Sequence, residues 1–273
     1  MSDEQRAAAT QPEGAGAEPP FAPPDAPDAS TAALAVPWTT RQAITGAALT
    51  LVPLVLIEVL GALAAPHTAT PTRRLTTQQD VSVAIVTVLA QLVVEGVFLL
   101  APWYYLRKCL PRGRTLGLAL RTLGFRRFDL GRATSAFILG LVAVFAFNAF
   151  YGIFGLRTNA DALVEQATRA PISTLATLVM AVTIVPICEE TFFRGYLFPG
   201  LARGMSLWVA VVTSALIFGA AHADAASFAP LAVIGAALAL LRWRTGSLWP
   251  GILFHAAINS SVLIYVIGLL AHH

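Results

Sequence analysis

Seven stretches of this chain are so continuously apolar that water is excluded as their solvent: roughly 42–65, 81–106, 133–155, 172–202, 206–222, 228–243 and 248–270. A hydrocarbon core is about 30 Å thick and an α-helix rises about 1.5 Å per residue, so most of these stretches are long enough to cross it. The expected fold is therefore an all-α polytopic transmembrane bundle of seven membrane helices. The fourth stretch is long and contains Pro186 and Pro199, the fifth and sixth are short, and an eighth or re-entrant segment around 195–206 is left open. With 56% hydrophobic and only 12% charged residues, the chain carries more apolar surface than a soluble domain hides, so most of it must face lipid.

Residues 1–37 differ from the rest of the chain. They are rich in Ala, Pro and acid (Asp3, Glu4, Glu13, Glu18, Asp25, Asp28) and nearly free of large apolar side chains. Such a segment buries too little surface to offset the entropy of ordering, so a disordered tail is expected before a membrane domain over 38–273. It has no apolar run of the secretory-signal kind, which leaves insertion to the first membrane helix. Cys109 and Cys188 support neither a disulfide framework nor a cysteine metal site.

The basic residues are asymmetric. One set of loops holds Arg41, the cluster from Arg107 to Arg132, Arg203, Arg242 and Arg244, and the opposite set holds only Arg73, Arg74, Arg157 and Arg169. By the positive-inside rule the tail and the 107–132 loop are expected in the cytoplasm. A net charge of +3 could suggest nucleic acid, but these residues flank apolar segments, where they act as topology signals and touch lipid headgroups. No nucleic-acid partner is expected; the partners are the bilayer and a substrate within it.

Ionisable groups inside the apolar stretches call for a partner or a function. The fourth stretch contains Ile184-Val-Pro-Ile-Cys-Glu-Glu-Thr-Phe-Phe-Arg194, and two later stretches carry His222 and His255. Arg194 follows Glu190 by four residues and so lies on the same helix face one turn along. Glu189 is turned about 100° away and is expected to face elsewhere. A buried glutamate paired with arginine is a good brace and a poor proton acceptor, whereas an unpaired one in low dielectric suits a general base. The spacing thus assigns Glu190 and Arg194 to structure and Glu189 to chemistry. His255 and Asn259, also four apart, share a face from which both can donate to a developing oxyanion. Counted from the basic ends of their helices, Glu190 lies at roughly 20 Å, His222 at about 24 Å and His255 at about 16 Å, so all three fit one layer within the membrane.

In that order and on successive helices, Glu-Glu-x-x-x-Arg at 189–194, Phe-x-x-x-His at 218–222 and His-x-x-x-Asn at 255–259 resemble the three motifs of the CPBP intramembrane proteases. That group includes CAAX prenyl endopeptidases and bacterial bacteriocin-immunity (Abi) proteins. The resemblance covers roughly 172–265, and Leu-Gly-Phe-Arg-Arg at 123–127 is similar to an amphipathic cytoplasmic element preceding such a core. It implies an endopeptidase in which Glu189 and His222 activate water, His255 and Asn259 stabilise the oxyanion, and Glu190 and Arg194 brace the site. The substrate would be a membrane-associated peptide or protein segment, and the Pro/Ala/Arg-rich style of the chain points to a bacterial cytoplasmic membrane. The family has been described both as metal-dependent and as metal-free. Zinc would take Glu189, His222 and His255; the metal-free reading, with no cofactor, is favoured because a helical HExxH signature is absent and base plus oxyanion donors use every residue.

Two other classes share these features. A proton-coupled transporter also buries Glu, His and Arg, but here they concentrate in the C-terminal half without repeat symmetry. A non-catalytic scaffold would be free to lose motif positions, and none is missing. Glu58, Glu95 and Asn148 read as interhelical hydrogen-bond partners, and Gly219 and Gly235 as close-packing positions. His67, His272 and His273 are expected to carry no chemistry.

Overall fold

A computed structural model describes residues 34–64, 73–154 and 166–271. Most of the expected tail, Arg157, His67, His272 and His273 lie outside these residues. The described elements are α1 (Thr40–Ala64), α2 (Thr77–Cys109), α3 (Leu116–Leu123), α4 (Leu130–Ile153), α5 (Pro171–Glu190), a π-helical segment (Thr191–Leu197), α6 (Phe198–Ala202), α7 (Leu207–Ala220), α8 (Phe228–Thr245) and α9 (Trp249–Ala271). There is no strand among the described residues. Six helical stretches are long and apolar enough to cross a membrane, with α5, the π segment and α6 counting as one, and α7 is a shorter apolar helix. The chain is an integral membrane protein. The seven expected stretches all reappear, but no separate re-entrant segment occurs around 195–206, because helix continues to Ala202 and turns once into α7.

The lipid solvent explains where the apolar side chains go. Leu49, Ile57, Val86, Val93 and Leu139 are all exposed on the outside of the bundle. In α4 only 6% of the spanning window is buried, against 44% in α8, so α4 lies at the periphery and α8 at the centre.

Local sequence sets the helix ends. Thr76 and Gln79 form a capping box at the start of α2, satisfying two of its free N–H groups. Helix α5 begins with Pro171 and has no cap of its own; instead Asp80 of α2, 2% exposed, accepts from the N–H groups of Ile172 and Ser173 at 2.8 and 2.9 Å. One buried carboxylate therefore caps α5 and ties it to α2. Helix α3 takes in only Leu123 of the Leu123–Arg127 run: Gly124, at φ 108°, ends the helix in the left-handed conformation that glycine tolerates.

Packing begins ahead of residue 38. Leu34 and Val36 are buried, and the Arg203 side chain donates to the Val36 and Trp38 carbonyls at 3.3 and 3.0 Å. All five tryptophans, Trp38, Trp103, Trp208, Trp243 and Trp249, lie near helix ends on the side that carries most of the arginines, as an interfacial aromatic belt would. Asn148 is not interhelical: its amide donates to the Val144 carbonyl of its own helix at 2.9 Å.

Helix α7 has 14 residues, a rise of about 21 Å, too short to cross. It starts at the basic end, so its far end and His222 stop inside the membrane. The turn after it is satisfied within the protein. Asp224 accepts from Ala226 and Ser227 N–H, and the Tyr151 hydroxyl of α4 donates to the Ala226 carbonyl at 2.6 Å. Ala223, next to His222, has φ 50°, the one positive φ at a non-glycine residue among those described.

Helices α7 and α8 approach closely at two glycines. A Cβ on Gly219 would lie 2.8 Å from the Phe228 carbonyl oxygen, and one on Gly235 would lie 3.0 Å from Ala215 Cα. Both obstacles are backbone and cannot swing aside. Gly219→Ala and Gly235→Ala are expected to destabilise by about 1–3 kcal/mol despite the better helix propensity of alanine. A thermal unfolding midpoint equal to wild type in detergent would refute this.

Candidate active site

The π segment begins directly after Glu189 and Glu190. Wide turns of this kind often occur at functional sites, and all seven residues of this one are buried. Arg194 projects from it into the bundle centre and is fully buried, as is Glu190. The Arg194 guanidinium donates Nη1 to Glu190 Oε1 at 2.8 Å and Nη2 to the Gly235 carbonyl at 3.0 Å, and sits 4.4 Å from the centroid of the Phe218 ring. The pair expected from the spacing is therefore present, and the close approach of α8 at Gly235 supplies its third contact. Gly251 of α9 makes the room: a Cβ there would lie 3.1 Å from Glu190 Oε2.

Glu189 does not face elsewhere. His255 lies between the two acids, with Nδ1 3.3 Å from Glu190 Oε1 and Nε2 3.9 Å from Glu189 Oε2. A side chain two methylenes long can turn back across 100° of helix, and the histidine from α9 provides the meeting point. Glu190 thus serves His255 as well as Arg194. Glu189 Oε2 has no hydrogen-bond partner among the described residues.

Phe218 holds the two histidines in register. Its ring centroid lies 5.0 Å from that of His222 and 5.9 Å from that of His255. His222 is half-buried, and its Nδ1 is 2.8 Å from the Phe218 carbonyl. A carbonyl only accepts, so Nδ1 carries the proton and Nε2 of the neutral ring is left as an acceptor. Asn259 donates its amide to the Ala181 carbonyl of α5 at 2.7 Å, which pins α9 to α5 and leaves one amide N–H. Among the described residues no three His, Cys, Asp or Glu side chains are grouped as a metal-ion ligand set.

Four residues around the site were given another role, or none, in the sequence. Arg242, taken there as a loop charge, is 1% exposed and donates Nε to the Arg194 carbonyl at 3.2 Å; its i, i+7 spacing from Gly235 was the available signal. Phe218 was a motif letter without a role. Glu95, taken as an interhelical partner, is 2% exposed and held by Gln91 at 2.7 Å, and it lies within electrostatic reach of Glu189. Glu58 of α1 interacts in the same way with His222 and Glu189. An apolar groove of about 440 Å³ between α1 and α7, walled by Leu51, Val55, Leu56, Ile217 and Ala221, runs beside these residues.

The fold and site define a polytopic membrane protein with a buried acid–histidine centre at bilayer depth. Residues 171–261, about a third of the chain, match the family model described as "Type II CAAX prenyl endopeptidase Rce1-like", so this segment, which holds Glu189, Glu190, Arg194, His222, His255 and Asn259, is similar to that family. The chain is also 28% identical over 117 residues to the Bacillus subtilis (strain 168) protein named "Putative membrane peptidase YdiL", an alignment covering 42% of this chain and 46% of that relative. The match thus spans less than half of the relative's length. No solved structure matches the chain.

Proposed function

We propose that the chain is an intramembrane endopeptidase that hydrolyses a peptide bond of a membrane-associated protein or peptide, with its basic end in the cytoplasm. The observation that carries this reading is the meeting of Glu189, Glu190 and His255 at one buried point, with the Phe218 ring touching both His255 and His222, at the three motif positions the sequence singles out. Glu189, whose Oε2 accepts no hydrogen bond from the described residues, takes a proton from water as the water oxygen attacks the carbonyl, and passes it to the leaving amine. His222 Nε2 orients that water. Arg194 pairs with Glu190, and His255, lying between the two acids, turns Nε2 toward the reacting carbonyl, where an N–H of its ring and the remaining N–H of Asn259 meet the oxyanion. The groove between α1 and α7 would let an apolar segment approach from lipid.

The test compares the N-termini of a membrane proteome with active protein and with the Glu189→Gln variant. New termini confined to the active protein are expected. Identical sets would favour a scaffold or transporter.

Activity is expected to be independent of zinc, since Glu189, two histidines and Asn259 fill the base, assistant and oxyanion roles. Chelation followed by metal analysis of the purified enzyme should leave cleavage intact. Stoichiometric zinc, with activity lost on stripping and restored on its return, would overturn the metal-free mechanism.

A further inference from the structure

Three arginines, Arg121, Arg126 and Arg127, line a cavity of about 810 Å³ at the basic end, with Leu118, Phe125 and Trp249 as its apolar wall. None of the three has an acidic partner among the described residues. Arg126 donates Nε and Nη2 to the Arg121 carbonyl at 3.1 and 2.7 Å, which holds the two guanidinium-bearing segments together. Burial, and then the charge of Arg121, hold the Arg126 guanidinium below its ordinary value. Like charges gathered without a counterion raise the energy of the apo protein, and an anion between them would lower it.

The cavity is built rather than formed by a loose loop. The Gly124 carbonyl accepts from Leu248 N–H at 2.8 Å, the Ser247 hydroxyl donates to the Arg126 carbonyl at 2.7 Å, and Phe125 packs edge-on against Trp249 at 5.5 Å. Its depth is also defined. Trp249 belongs to the tryptophan belt, and Leu116, Leu118 and Leu120 of α3 are 75%, 44% and 38% exposed, as on a short helix lying in the interface with leucines in the acyl region.

We propose that this cavity binds the phosphate headgroup of an anionic phospholipid, the arginines taking the phosphate oxygens and the leucine and aromatic wall the first part of the acyl chains. The charge complementarity points to a phosphate, and the apolar wall at the bilayer boundary points to a lipid rather than a soluble anion. The site narrows a loop-wide preference for anionic headgroups to three named side chains, and it is independent of the peptidase reading because binding, not cleavage, is measured.

The test uses the full chain in phosphatidylcholine nanodiscs titrated with phosphatidylglycerol, reading retained lipid by native mass spectrometry and the thermal midpoint. Arg121→Gln/Arg127→Gln is expected to weaken phosphatidylglycerol retention roughly 25-fold, about fivefold per arginine. Arg112→Gln/Arg132→Gln, which removes two exposed charges at the same end but outside the cavity, should change it less than about twofold. Arg127→Gln alone, at an exposed side chain, serves if the double variant does not fold. Equal losses in both pairs would show diffuse surface attraction and overturn the site. Inorganic phosphate reproducing the stabilisation in phosphatidylcholine alone would overturn the lipid assignment in favour of a free-phosphate site.

Discussion

Purified Glu189→Gln and His222→Ala proteins are expected to lose peptide cleavage by roughly 10²–10⁴-fold, the usual contribution of a positioned general base or its partner. Both should insert and melt as the wild type does. Glu189 makes no hydrogen bond through Oε2 and only a 3.9 Å approach to His255 Nε2, so replacing its charge by an amide costs no hydrogen bond there, and the thermal midpoint should change little. His222 sits at the end of a short helix and is half-buried, so the cavity left by alanine can open to the groove beside it. Normal turnover of a model peptide by Glu189→Gln protein would end the assignment of Glu189 as the base.

Breaking the Glu190–Arg194 pair should have the opposite signature. Both side chains are 0% exposed, and removing either leaves the other ion buried without its partner, a loss of roughly 3–5 kcal/mol. Glu190→Gln and Arg194→Met are each expected to lower the unfolding midpoint and expression as well as activity. The double variant should recover much of the stability, because no lone ion remains, but not cleavage, because His255 loses Glu190 beneath Nδ1. If Glu190→Gln melts like wild type yet is inactive, Glu190 takes part in the chemistry and the division of labour between the adjacent acids is wrong.

How much of this was legible in the chain depends on the range of the interaction. The membrane helices were readable because lipid selects for continuous apolar length, a property of consecutive residues. The Glu190–Arg194 bond was readable because a spacing of four is a contact within one turn of one helix. Shortness of the fifth stretch was readable too, and it is what stops His222 within the bilayer.

Contacts between helices were not. Sequence spacing turns Glu189 and Glu190 to different faces, yet both acids reach His255, because a ring brought in by α9 between two flexible side chains is invisible to the periodicity of α5. Arg242 looked like a topology charge, since composition cannot tell an arginine at a helix end that faces headgroups from one that turns inward to the Arg194 carbonyl. Asp80 caps a helix that begins about ninety residues later, and only the packing of α2 on α5 brings it there. Local hydrophobicity and the fixed rise of a helix are enough to set the solvent, the helix lengths and which polar residues had to be buried. Which buried groups meet depends on the rotation and separation of helices, here set by backbone crowding at Gly219 and Gly235 and by the room Gly251 leaves for the Glu190 carboxylate, which no single helix encodes.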